Sequence, residues 1–211
     1  MIKAIIFDLD GVLVDACDWH YHSLNDALNH HMGYKISYER HIKDFNGLPT
    51  STKLDLLGVS RELKEDIWRM KQDKTLENIK LYGSIDKYKV RMLTKLQSEG
   101  FKLCCVTNSI RKTAEEMLKA TGQYNFFDFI ITNEDVENNK PHPDCYLLVY
   151  EKLGLESFEC LVLEDSPKGK KAAHASQGVV LEVTDPYDVT YDLITRIIKE
   201  ILSLNSKARF V

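Results

Sequence analysis

Five short apolar runs, at residues 4–7, 103–106, 129–131, 161–163 and 179–183, constrain this chain more than any other feature, because each is followed by a polar turn and then a helical pattern. A strand buried on both faces reads as a continuous apolar run, whereas a strand with one wet face alternates. Such runs separated by helices predict a parallel sheet covered on both sides, the α/β, doubly wound class. Helical periodicity is clear over 87–98, 112–120 and 146–153. Near the end, Leu193, Ile194, Ile197, Ile198, Ile201 and Leu202 form one stripe, which predicts a last helix packed on the sheet.

Residues 16–82 break the alternation. They show helical periodicity and turns at Gly33, at Gly47-Leu48-Pro49 and at Gly58, but no convincing buried strand. The simplest organisation is an α/β core made of residues 1–15 and 83–211, with a helical insertion at 16–82 directly after the first strand. A chain of 211 residues fits one core with a modest insertion. Folding at this size buries roughly 70% of the surface of the unfolded chain, so no staples are needed.

Charge and cysteine usage exclude several classes. The 28 Lys+Arg against 32 Asp+Glu give a formal charge of −4 without a basic stripe, so nucleic acid is not an expected partner. Lys168, Lys170 and Lys171 are clustered, but read as a solvated face that could also draw in an anion. Five cysteines occur without a CxxC pair or zinc spacing, so neither a disulfide framework nor a zinc site is expected, and a reducing, cytoplasmic setting fits. Cys104 and Cys105 are adjacent in an extended run and should point to opposite faces. The apolar run at the start is too short for a signal peptide, and no stretch reaches the ~18 apolar residues of a membrane span. No membrane partner is expected. Oligomeric state is left open, a monomer being compatible with the sequence.

Ligands of parallel α/β sheets bind beyond the carboxyl ends of the strands. Here those ends are unusually polar: Asp8-Leu9-Asp10-Gly11 after the first run, Thr107-Asn108-Ser109 after the second and Glu164-Asp165-Ser166 after the fourth, with Lys140-Pro141 ahead of another helix. Asp8 and Asp10, two apart in extended chain, would present their carboxylates on one side roughly 6 to 7 Å apart. At an effective dielectric near 20 their repulsion is about 2 to 3 kcal/mol, and Glu164 and Asp165 add more. A hard divalent cation held by oxygen ligands answers that repulsion, and magnesium commonly arrives with a phosphate. Taken alone, each segment has an ordinary explanation: an acidic turn for Asp8 and Asp10, a helix cap for Thr107-Asn108-Ser109, a surface lysine for Lys140. Four such segments at strand ends favour function.

Together they carry a resemblance. The stretch Asp8-Leu9-Asp10-Gly11-Val12-Leu13-Val14-Asp15 resembles the first motif of the haloacid dehalogenase superfamily. Thr107-Asn108-Ser109 is similar to its second motif, Lys140-Pro141-His142-Pro143-Asp144 to its third, and Leu163-Glu164-Asp165-Ser166-Pro167-Lys168-Gly169 to its fourth, in the same order. By position, residues 16–82 look like the small helical cap of the branch that contains β-phosphoglucomutase and many metabolite phosphatases.

That resemblance implies a Mg²⁺-dependent phosphomonoester hydrolase acting on a small phosphorylated metabolite, such as a sugar phosphate. Asp8 would be the covalent nucleophile and Asp10 the general acid and base, its pKa raised by acidic neighbours. Thr107, Asn108 and Lys140 would hold the phosphoryl oxygens. Asp8, the Asp10 carbonyl and Asp165 would hold the metal, with Glu164 nearby or coordinating. Asp10 argues against a dehalogenase or phosphonate hydrolase, since those need no acid for a leaving alkoxide. His20, Gly47, Thr50, Lys53 and Lys71 are the candidate substrate-facing cap residues. A sugar phosphomutase and a catalytically retired sugar-phosphate binder are the alternatives. Mutase relatives carry an arginine where Thr50 stands, which favours hydrolysis. His30 and His31 are expected on the surface, and Trp68 in core or cap packing.

Overall fold

The computed structural model describes residues 1–208, with side chains described as far as Leu204. The strands are β1 (Ala4–Phe7), β2 (Lys102–Val106), β3 (Phe129–Ile131), β4 (Cys160–Glu164) and β5 (Val179–Glu182). They form one sheet in the order β3-β2-β1-β4-β5, and every neighbouring pair is parallel. The apolar runs mark all five strands to within a residue at each end. Alternation across the sheet explains why the runs are continuous. Ile5, Phe7, Leu103, Cys105, Leu161 and Leu163 join the apolar cluster on one face, while Ala4, Ile6, Cys104, Val106, Cys160 and Val162 join that on the other. Cys104 and Cys105 therefore do face opposite ways, and all five cysteines are free.

Between β1 and β2 the chain first makes α1 (Cys17–Met32), α2 (Tyr38–Arg40) running into a π turn (His41–Phe45), α3 (Thr50–Leu56) and α4 (Arg61–Tyr82). These helices share an apolar cluster of their own, built on Leu24, Leu28, Phe45, Leu54 and Ile67. Asn78 of α4 ties α1 to it by donating to Ser23 Oγ at 3.0 Å and to Trp19 O at 3.3 Å. Lower on α4, Ile79 belongs instead to the cluster beneath the sheet, so the two groups meet at its C-terminal end. His30 is exposed and His31 partly so, with their rings edge to face.

The remaining helices cover the sheet. α5 (Lys87–Ser98), α6 (Arg111–Ala120) and α9 (Tyr191–Ala208) place Leu93, Leu96, Met117, Leu118, Ile194 and Ile198 on the Phe7 face. α7 (Asp144–Leu153) and α8 (Pro167–Ala175) place Tyr146, Val149, Ala172 and Ala173 on the Ile6 face. Each fully buried Leu, Ile or Met contributes about 1.5 to 3 kcal/mol. Three starts are set by side chains: Asp86 accepts from the backbone of Tyr88 and Lys89 ahead of α5, Ser166 accepts from Gly169 N ahead of α8, with Pro167 at its first position, and Thr190 accepts from Leu193 N at 3.2 Å ahead of α9. No described helix is long and apolar enough to cross a membrane.

Candidate active site

β1 lies at the centre of the sheet, with β2 on one side and β4 on the other, so the strand order reverses there and a crevice opens beyond its carboxyl end. Asp8 stands one residue past β1, its N–H donating to Leu163 O at 3.0 Å. The chain then doubles back: Leu13 and Val14 both donate to Leu9 O, at 3.0 and 2.9 Å, and Gly11 donates to Val14 O at 2.8 Å. Gly11 has φ +86°, and a Cβ there would lie 2.2 Å from Asp165 Oδ2. Only glycine meets both conditions.

Lys140 reaches this point from the loop ahead of α7. The Asn108 side chain clamps that loop, donating to Lys140 O at 3.2 Å and accepting from Lys140 N at 3.1 Å. The ammonium, 4% exposed, donates to Asp8 Oδ1 at 2.6 Å, to Val106 O at 3.0 Å and to Glu164 Oε1. It is no surface lysine. Glu164 is wholly buried and also accepts from Tyr146 Oη at 2.6 Å. Gly169, on the first turn of α8, leaves room for that carboxylate, since a Cβ there would fall 2.0 Å from it.

Three carboxylates, Asp8, Glu164 and Asp165, bring ligand oxygens within 4.8 Å of one another. Burial and the Glu164 charge push Asp8 well above the usual carboxylate range, and push Asp165 up to about 6. The charges of Asp8 and Glu164 hold the Lys140 ammonium above its ordinary value although burial opposes this. One ammonium against three carboxylates leaves two formal negative charges, and Asp165 Oδ1 is buried without a hydrogen-bond partner. An all-oxygen donor set with excess negative charge and an orphaned carboxylate oxygen fits a hard divalent cation.

Asp10 behaves differently from Asp8, and here the sequence expectation is corrected. Burial alone would raise its pKa, but His20, Ser109 and Lys71 outweigh burial and hold it below the ordinary value. His20 Nε2 lies 2.8 Å from Asp10 Oδ1, and Ser109 Oγ donates to Oδ2 at 3.1 Å. Lys71 Nζ lies 3.3 Å from His20 Nδ1. With Nδ1 accepting from the ammonium, the network assigns the ring proton to Nε2, donated to Asp10. Burial and Lys71 keep that imidazole below its ordinary pKa. Thr107, 3% exposed, accepts from Ser109 N at 3.0 Å and lies 3.5 Å from Asp10 Oδ2.

Asp8, Asp10, His20, Lys71, Thr107, Asn108, Ser109, Lys140 and Asp165 border one cleft of about 600 Å³, walled on one side by the strand ends and on the other by the helices of residues 17–82. His20, Gly47, Thr50, Lys53 and Lys71 all line it. Gly47 approaches the opposite wall, a Cβ there lying 3.6 Å from Ser166 Cβ. Trp68 also lines the cleft, where core or cap packing was expected. It shares a face of α4 with Lys71 and Gln72, three and four residues on, and that spacing was the available signal. Ser109 and Tyr146 were given no role by the sequence, because their partners come from distant segments.

Comparisons with known proteins bear on the family and the fold. A family model described as haloacid dehalogenase-like hydrolase matches residues 5–183. The chain is similar to a pyrophosphatase, PpaX, of Bacillus pumilus, with 33% identity over 168 residues, 78% of this chain and 75% of the relative. It is also similar to a phosphorylated carbohydrates phosphatase of Thermotoga maritima, with 28% identity covering 87% of this chain and 88% of the other. Among solved structures, β-phosphoglucomutase from Clostridium difficile superposes with a TM-score of 0.79 and 25% identity, covering 96% of this chain and 100% of that one. The chain belongs to the haloacid dehalogenase-like hydrolases, in their phosphatase branch.

Proposed function

We propose that the protein hydrolyses a phosphomonoester of a small metabolite through an aspartyl phosphate on Asp8. The observation that carries this reading is the separation of roles between two aspartates on one loop. Asp8, which lines the cleft, is fixed by Lys140 through Oδ1, while Asp10 is held by His20 and Ser109. Asp8 attacks phosphorus as the bond to the leaving oxygen breaks, and Asp10 hands that oxygen a proton. Water then attacks the aspartyl phosphate at phosphorus and gives its proton back to Asp10, and the bond from phosphorus to the Asp8 oxygen breaks to release phosphate and the free carboxylate. The ionised state favoured by His20 suits this second step. For the first, Asp10 must be protonated, and the charge of an arriving phosphoryl group raises its pKa in that direction.

Lys140, Thr107 and the backbone of Asn108 stabilise charge on the phosphoryl oxygens. Asp8, Asp165, Glu164 and the Asp10 carbonyl would hold Mg²⁺, which when bound offsets repulsion between an anionic nucleophile and an anionic substrate. Residues 16–82 act as a cap over the residues 1–15 and 83–211 that form the core, with Gly47 and Thr50 facing the substrate. Thr50 offers no bidentate guanidinium, and the ammoniums of Lys53 and Lys71 are point charges that do not fix a bisphosphate through reorientation, which favours water as the acceptor of the phosphoryl group. The five free cysteines suit a cytoplasmic setting.

The test is incubation with Mg²⁺ and a panel of phosphorylated metabolites, with free phosphate as the expected product. Efficient conversion of β-glucose 1-phosphate to glucose 6-phosphate in the presence of the bisphosphate would replace this reading by the mutase one.

A further inference from the structure

The wall of the cleft opposite the strand ends carries charge of one sign. From residues 41–72 it takes Lys43, Lys53 and Lys71, and it takes no Asp or Glu from that segment. Two of these lysines are buried, Lys53 and Lys71 each being 6% exposed. No carboxylate lies within ion-pairing distance of either among the described residues. The polar contact of the Lys71 ammonium is with His20 Nδ1 at 3.3 Å, an acceptor without charge. His41, wholly buried, adds no charge, its ring pushed down to about 4 by burial and by Lys53.

Two buried ammoniums facing a cavity without a counter-ion are costly to the empty protein, since an unpaired charge taken out of water is expensive. Burial holds Lys53 at about 8, and burial together with Lys53 holds Lys71 at about 7. Asp10 draws both upward from across the cleft without pairing with either. A neutral leaving group would leave this charge unanswered. A second anion would answer it.

We infer that Lys53 and Lys71 form a second anion-binding subsite, so that the substrate is a phosphomonoester whose leaving group carries its own carboxylate or phosphate. The inference rests on Asp8 receiving the phosphoryl group, as proposed above. The strand-end wall, with Asp8, Lys140 and Asp165, takes the phosphoryl end. The lysine wall takes the other charge. Trp68, on the same face of α4 as Lys71, bounds the leaving group beside it.

Matched substrates test this: glycerol 3-phosphate against 3-phosphoglycerate for a carboxylate, and fructose 1-phosphate against fructose 1,6-bisphosphate for a phosphate. With Mg²⁺ present, kcat/KM should favour the doubly anionic member of at least one pair by about tenfold or more, and the favoured pair tells carboxylate from phosphate. In Lys53→Gln that ratio should collapse toward one, and in Lys53→Arg it should largely return. Calorimetric binding of the same four compounds to Asp8→Asn protein reads the subsite without turnover. If no compound is hydrolysed but the doubly anionic ones bind more tightly, and lose that advantage when Lys53→Gln is added, the subsite stands and the phosphatase reading falls. If both members of each pair are hydrolysed equally and Lys53→Gln leaves the ratios unchanged, the subsite is overturned and the phosphatase reading stands.

Discussion

His20 Nε2 sits 2.8 Å from Asp10 Oδ1, so the first helix after β1 delivers a hydrogen bond to the loop that ends β1. The contact joins the two walls of the cleft at the carboxylate to which the proposed reaction assigns the proton transfers. It also sets the protonation of that atom, for His20 is the leading influence that holds Asp10 below its ordinary pKa against burial.

Replacing His20 by Ala should therefore change a pH profile as well as a rate. Without the imidazole, burial raises the Asp10 pKa, so the basic limb of kcat/KM, above which Asp10 has lost the proton that the first step needs, moves to higher pH. The maximal rate should fall about 10- to 100-fold, within the range of a disturbed general acid–base group. Steady-state kinetics from pH 4.5 to 8.5 check this. A drop in rate with an unmoved basic limb would reduce His20 to a packing residue.

Asp165 supplies a stability prediction with a definite sign. Its folded pKa, raised to about 6, exceeds the ordinary 3.8, so between these values the folded state binds more protons than the unfolded. Stability of the metal-free protein thus falls as pH rises through that window and stays low above it. In EDTA at pH 7, Asp165→Asn should be more stable than the native chain by about 1 to 3 kcal/mol, the advantage fading toward pH 4. Added Mg²⁺ should reverse the order, raising the Tm of the native chain and not that of the variant. Urea midpoints across pH and metal concentration decide it, and a native chain indifferent to Mg²⁺ would count against a cation at this cluster.

Tyr146 holds Glu164 from α7, well away from the cleft. Tyr146→Phe removes a donor to a wholly buried carboxylate, and should cost about 1 to 3 kcal/mol in urea unfolding. The remaining Lys140 contact keeps the fold. A neutral effect would mean that Glu164 is satisfied by Lys140 and Ser166 alone.

Much of this was legible in the residues because the sheet is parallel and buried on both faces. That condition forces continuous apolar runs, and the residues immediately after them are forced to its functional edge. Asp8, Asp10, Thr107 and Asp165 are found where the strand ends place them, and the loop ahead of α7 brings Lys140 to the same edge. The ionisation of Asp10 was not legible. Counting its acidic neighbours predicts a raised pKa, while the deciding partner, His20, is brought in by the packing of α1 on α4 through Ser23 and Asn78. Trp68 was misread for a similar reason, since amphipathic spacing does not say whether a helical face meets core or cleft. The fixing of Glu164 by Tyr146 likewise depends on how α7 lies against β4, which no local pattern encodes.

The central claim is that Asp8 becomes phosphorylated, and the most direct measurement is acid-quenched single turnover with a ³²P-labelled substrate, followed by peptide mapping. The account predicts transient label approaching one per active site on the peptide that contains Asp8. The label should be sensitive to hydroxylamine, as an acyl phosphate is, and absent from Asp8→Asn protein of native circular dichroism. Turnover without protein-bound label under conditions that trap acyl phosphates, label on another residue, or more than a few per cent of activity in Asp8→Asn would contradict it.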